Sequence, residues 1–289
     1  MGTSQSKPVN KTDKSVARQK METASKTGVL SLREHKLEQI PPKVFELTNV
    51  RTLDLSHNKL KILSIRLTNL TNLKSLNLDN NSFHNLQAIA KLNNLQTLSA
   101  GKNLLGMKPK QQQQQQRQKP TPPLPVLPTS LKQIKLDSNH FDSVPEQLLS
   151  TTLTKLVKLD LSHNNIAALP PSISNLAGLT ELNLSHNSIP SLCPEIAKLV
   201  KLKSLNLSYN SIQVSSAIMK WTEQNPQPLP KALFEDTLII DLNLEGNKMT
   251  NTQLNEFDGF ETFLERRQKL KSKNIYGGAL TDLSVCGLH

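Results

Sequence analysis

The sequence predicts an α/β solenoid of short parallel strands, and three observations carry that reading. The pattern LxxLxLxxNx(L/I) recurs every 23 residues between Leu156 and Ile212. Within each copy two leucines flank one polar residue, as Leu159 and Leu161 flank Asp160, which is the alternation of a strand with one buried face. An asparagine then closes the strand, and its amide can pair with backbone groups that a tight turn leaves unsatisfied inside the coil. One such unit cannot close a core, but a stack can.

Aligned on that asparagine, the chain contains nine strand segments. The first, TGVLSLREHKL, supplies Leu30, Leu32 and Leu37, with His35 at the asparagine site; a terminal unit lacks a neighbour on one side. Asn58, Asn81, Asn103, Asn139, Asn164, Asn187, Asn210 and Asn247 mark the rest, and Ala100 gives a thinner layer beside Asn103. Arms such as LPPSISNL and LCPEIAKL return the chain through a proline-containing turn, aiming Ile173, Leu176, Ile196 and Leu199 inward. Period and pattern together resemble a leucine-rich repeat solenoid with its strands on the concave face.

The expected organisation is a disordered, acylated basic leader at 1–14, an N-terminal cap helix at 15–26 and the repeat domain at 27–253. A C-terminal cap helix at 254–275 and a flexible tail at 276–289 follow. Val16, Ala17, Met21 and Ala24 have helical spacing, as do Phe257, Phe260, Phe263 and Leu264, and both helices would cover an open end of the stack. Two stretches break the period. A glutamine- and proline-rich insertion at 106–128 reads as about 13 extra residues looped out from the return side, and a long arm spans 213–238.

Charge is unevenly placed. The net charge is +12, yet residues 1–26, 106–123 and 263–275 each contribute +4, so the rest of the chain is neutral. The start, MGTSQSKP, places Gly2 and Ser6 in an N-myristoylation signal, with Lys7 beside it. A single acyl chain binds membranes marginally, and Lys7, Lys11, Lys14, Arg18 and Lys20 supply an electrostatic second signal toward anionic lipid. Cys193 and Cys286 make no disulfide framework, and there is no secretory signal or long apolar run. The expected location is the cytoplasmic side of a membrane, with a cytosolic pool and no secretion.

The concave face should present Asp54, Asn77, Ser99, Lys135, Asp160, Asn183, Asn206 and Asn243 as one outward row. Ser56, Asp79, Gly101, Asp137, Ser162, Ser185, Ser208 and Glu245 make a second. His57, His163 and His186 share the position before the asparagine; His163 and His186 fall in consecutive units, whereas His57 is four units from His163. Without a third fixed ligand or zinc spacing they read as turn residues that meet a partner, and no metal or cofactor is expected. Tyr209 is the one large aromatic on this face. The candidate partner-binding set is therefore Asp54, His57, Asp79, Lys135, Asp137, Asp160, His163, Asn183, His186, Asn206, Tyr209 and Glu245.

No phosphate loop, HExxH, GxSxG or kinase signature occurs, which argues against an enzyme. Beyond the repeats, the N-terminal glycine signal, METASKTGVLSL and LPKALFEDTLIIDLNLEGNKM followed by FDGFETFLERR resemble the small intracellular leucine-rich repeat proteins. The chain differs from them in its lysine-rich leader, its glutamine run at 111–116 and its longer tail. That resemblance implies an intracellular, N-myristoylated, membrane-associated repeat protein without catalysis, and it names no partner. The expected role is a monomeric, protein-binding scaffold or adaptor tethered by its N-terminus. The alternative is a soluble cytosolic binder without a lipid anchor. Nucleic-acid association through the basic appendages is the weaker reading, since stacking aromatics are not interleaved there.

Overall fold

The computed structural model describes residues 11–108, 122–214, 221–222, 226–273 and 285–288. A helix α1 (Lys11–Thr27) leads into nine three-residue strands, β1 (Val29–Ser31) to β9 (Asp241–Asn243), paired in sequence order in one parallel sheet. Register holds throughout: Leu53, Leu76, Leu98, Ile134, Leu159, Leu182, Leu205 and Leu242 follow Leu30 rung by rung. Each of these side chains is no more than 3% exposed. Pairing is parallel because every strand is followed by an arm that returns the chain to the same edge. The arms carry one-turn 3-10 helices, such as Pro171–Asn175 and Pro194–Lys198, which bury Ile173 and Ile196 against the strand leucines.

The asparagines do what the sequence suggested. Asn164 donates its amide to the carbonyls of Leu161 and Ser162 in its own unit and of Leu136 in the unit before, at 3.0–3.1 Å. Its Oδ1 accepts the Phe141 amide at 3.1 Å. The arrangement repeats at Asn187 and Asn210, so each rung is hydrogen-bonded to its predecessor inside the coil. The first unit has no predecessor. There the His35 and Leu37 amides both donate to Asn58 Oδ1 of the next unit, and the His35 ring contacts the Arg33 carbonyl.

The helix at the start begins at Lys11, within the span expected to be disordered. Ala24 is buried and Met21 partly so against the first repeat. The helix stops at Gly28, whose φ of +74° lets its amide turn back to the Ala24 carbonyl. Gly2, Ser6 and Lys7 lie outside the described residues. Lys11, Lys14 and Arg18 lie on α1, with side chains outside the description, and Lys20 is half-buried, its Nζ 3.4 Å from His35 Nε2.

Residues 122–128, the proline-rich end of the insertion expected over 106–128, pack into the body. Leu124 and Leu127 are buried, the Pro123 carbonyl accepts the Leu86 amide, and the Pro122 carbonyl accepts Gln87 Nε2. Composition pointed to a linker, but two leucines there outweigh it by joining the continuous hydrophobic core. The glutamine run lies outside the described residues.

The long arm re-enters through Leu229 and α2 (Lys231–Asp236), which buries Leu233 and Phe234. Residues 215–220 and 223–225 of this arm lie outside the described residues; Trp221 stands edge-on to Phe257, 5.4 Å between ring centres. Two helices follow, α3 (Asn251–Asn255) and α4 (Phe260–Lys273), where one was expected. Thr250 and Gln253 form a capping box on α3, and Gly259 (φ +83°) separates it from α4. Phe260 and Phe263 close over Phe234.

The tail also differs from its expected fraying. Residues 285–288 lie on the open edge of β9, where the Leu244 amide donates to the Cys286 carbonyl and Leu288 is buried. An exposed edge strand is thereby covered. Burial pushes the Cys286 thiol up to about 12.

Candidate functional site

The concave face has one half-exposed row and one largely buried row, where two outward rows were expected. Asp54, Asn77, Ser99, Lys135, Asp160, Asn183, Asn206 and Asn243 are in register along the sheet, and none of them is buried. In the second row Ser56, Asp137, Ser162, Ser185 and Ser208 are at most 9% exposed, and Gly101 is buried. Only Asp79 and Glu245 of that row keep real exposure. Each residue of the row offers its carbonyl to the next amide of the preceding unit, as Ser185 does to His163 and Ser208 to His186.

Several predicted contact residues are already engaged. Asp54, Asp160, Asn183 and Asn206 each accept, at 2.9–3.1 Å, the amide two residues on, fixing the turn after the strand. Asp79 accepts Ser99 Oγ at 2.8 Å and the Gly101 amide at 2.7 Å. Asp137 lies over Gly101, where a Cβ would fall 2.1 Å from its Oδ1. Lys135 Nζ is 3.4 Å from that oxygen. Burial alone would lower the Lys135 pKa, but Asp137, Asp79 and Asp160 outweigh it and hold the ammonium above its ordinary value. These groups shape the floor more than they wait for a ligand.

Between them lies a shallow groove of about 490 Å³, lined among others by Lys158, Glu181, Ser204 and Asp241. Lys158 and Glu181 pair across neighbouring strands at 2.7 Å. These four come from the first position of each strand, which the sequence reading passed over.

The position before each asparagine is the rim of the face, and its backbone is left-handed in every unit. His57, Asn80, Lys102, Ser138, His163, His186 and Tyr209 all have φ between +52° and +57°, and Gly246 has +71°. Most of these are not glycine, so the rung hydrogen bonds impose the conformation against its intrinsic penalty. Because the units stack, side chains at this position stack too. His163 and His186 lie 4.0 Å apart and 12° from parallel, and His186 and Tyr209 lie 4.4 Å apart and 9° from parallel. Tyr209 donates to Glu245 Oε1 at 2.8 Å, and Gly246 makes room for its ring, since a Cβ there would meet Tyr209 Cδ1 at 2.6 Å. Burial in the stack, with the neighbouring His163, holds the His186 pKa below the ordinary histidine value; Glu245 pulls it back weakly.

The three rings are exposed along their rim. Sequence reading placed His163 beside His186 but left Tyr209 apart; the 23-residue spacing that joins all three was the available signal. His57, far along the sheet, contacts Asn80 instead at 2.8 Å. Among the described residues, no cluster of three or more His, Cys, Asp or Glu is placed to hold a metal ion.

The profile of the leucine rich repeat family matches residues 27–83, 129–189 and 177–220, more than half of the chain. The chain is a leucine-rich repeat protein. No curated protein matches it. Among solved structures, a leucine-rich repeat protein of Leptospira interrogans is 29% identical, with a TM-score of 0.62 over 76% of this chain and 49% of its own length. An internalin from Listeria monocytogenes is 20% identical, with a TM-score of 0.57 over 79% of this chain and 57% of its own. The ectodomain of a plant membrane receptor kinase from Arabidopsis thaliana is 24% identical, with a TM-score of 0.52 over 74% and 23%. This chain thus spans about half the length of the first two relatives. No helix among the described residues is long and apolar enough to cross a membrane.

Proposed function

We propose that this leucine-rich repeat chain is a non-catalytic scaffold that binds a protein on its concave face. One observation carries the reading: three residues beyond Asp160, Asn183 and Asn206 on the concave row, His163, His186 and Tyr209 stack into a rigid, exposed aromatic edge. Flat rings held in place bury area on binding with little loss of freedom, which is what interface anchors require. Residues such as Lys135, Lys158 and Glu181 would set register across the groove.

The membrane part of the proposal rests on Gly2, Ser6 and the basic residues that follow, together with the finer likeness to leucine-rich repeat-containing protein 57 at both caps. An acylated leader would hold the solenoid at an anionic cytoplasmic surface while leaving the concave face free.

Two variants test the two parts separately. His186→Ala with Tyr209→Ala removes the ring edge without opening the core. It should abolish a co-purifying partner while thermal unfolding stays unchanged; retained partner would sink the site. For the tether, intact mass from a eukaryotic host should show loss of Met1 and gain of one myristoyl group, and Gly2→Ala should move the protein from the membrane pellet to the soluble fraction. An unmodified or acetylated terminus would leave the soluble binder as the reading.

A further inference from the structure

The arm of the second repeat departs from the others on the side away from the concave face. Ile62 is 80% exposed and Ile65 64%. Aligned on the buried anchor of each arm (Ile40, Leu63, Val144, Leu169, Leu192), the position of Ile62 is elsewhere Gln39, Ser143, Ala168 or Ser191. The position of Ile65 is elsewhere Pro42, Glu146, Pro171 or Pro194. Among these five arms, this one alone puts an exposed branched aliphatic side chain at both.

The frame around the pair is basic. Lys59, Lys61 and Arg66 join Ile62 in lining a groove of about 640 Å³, with Ile40, Pro42 and Phe45 behind them. The Arg66 guanidinium is held 5.0 Å over the Phe45 ring, and Lys43 lies exposed on the neighbouring arm. Glu38, which also lines the groove, and Glu46 on the first arm are the nearby carboxylates.

We propose that this edge of the first two repeats docks on an anionic lipid surface, with Ile62 and Ile65 inserted among the headgroups and Lys59, Lys61 and Arg66 at the phosphates. Charge decides the occupant. A protein-binding core draws on aromatic rings and excludes lysine, whereas an interfacial lipid contact combines aliphatic wedges with lysines whose stems lie along the apolar layer. The patch is also at the α1 end of the stack, the end carrying the basic leader. The proposal deepens the membrane reading above by giving the tethered solenoid a fixed orientation, with its concave face turned from the bilayer. It does not need the acyl chain, so the two can fail separately.

The test uses the full chain made without N-myristoyltransferase and sedimented with vesicles. Wild type should bind phosphatidylcholine vesicles containing about one-third phosphatidylserine and release as salt screens the contact. Pure phosphatidylcholine vesicles should bind it about tenfold or more weakly. Ile62→Glu with Ile65→Glu should lower binding to the anionic vesicles at least about tenfold, given the apolar area withdrawn. Val200→Glu, at a half-exposed valine of another arm, should leave binding unchanged. Circular dichroism melting keeps loss of fold apart from loss of contact. Full binding by the double variant would assign all vesicle attachment to the leader and overturn the proposal. So would a wild type that ignores anionic vesicles.

Discussion

Replacing Asn164 by alanine tests how the rungs are joined. The residue is 7% exposed and uses its whole amide: three carbonyls receive Nδ2 and one amide reaches Oδ1. The carbonyls are not equally at risk. Leu136 also receives Asn139, Leu161 also receives Asn187, and Ser162 also receives the Ser138 amide. Only the Phe141 N–H would be orphaned outright. An unpaired buried donor costs about 1–3 kcal/mol, and the two amide N–H groups shared among three carbonyls add roughly 0.5–1 kcal/mol each, so the expected loss is about 2–5 kcal/mol. Aspartate separates the two halves of the amide. Asn164→Asp keeps the acceptor for Phe141 but sets an oxygen against three carbonyl oxygens, so at pH 7 it should destabilise at least as much as alanine. Urea unfolding followed by circular dichroism gives the magnitude, and hydrogen exchange at the Phe141 amide gives the location. An alanine loss below about 1 kcal/mol, or an aspartate milder than alanine, would refute the bonding scheme.

Two further outcomes follow from the same structure. Leu124→Ala should cost about 2–5 kcal/mol, as for any buried leucine, whereas a residue in an extruded loop would change stability by less than about 0.5 kcal/mol; chemical denaturation decides between them. His186 should titrate by NMR below the ordinary histidine midpoint, and His163→Asn should raise that midpoint by removing a neighbouring imidazole. Because the folded pKa is lowered, the unfolded chain takes up the proton first. Stability from this site is therefore intact above the unfolded histidine value of about 6.5 and declines as pH falls toward the folded midpoint.

The core leucines and the asparagine ladder were legible because both are local and periodic. Leu159, Leu161 and Asn164 mean the same thing in every unit, so one unit read correctly gives all nine. Two stretches were not legible, for different reasons. Leu124 and Leu127 sit among prolines after a glutamine run, yet they occupy arm positions and bury fully. Cys286 and Leu288 form a terminal fragment too short to show a period, and they are held by an edge that only the finished sheet presents.

The sequence by itself determined the architecture: nine rungs, their order, which leucines face inward, and a C-terminal cap built on Phe257, Phe260 and Phe263. Tertiary stacking decided the surface. Ser162, Ser185 and Ser208 alternate like exposed residues, but in the stack of units these short side chains are each only 5% exposed, whereas the longer Glu245 at the same position stays out. The left-handed rim carries histidine, lysine, serine and tyrosine, so no glycine signature announces it; the conformation is forced by hydrogen bonds between units. Residues 23 apart, His163, His186 and Tyr209, become one stacked edge only because the rungs superpose about one ring thickness apart. Burial and stacking are properties of neighbouring units, and a strand pattern read one unit at a time does not contain them.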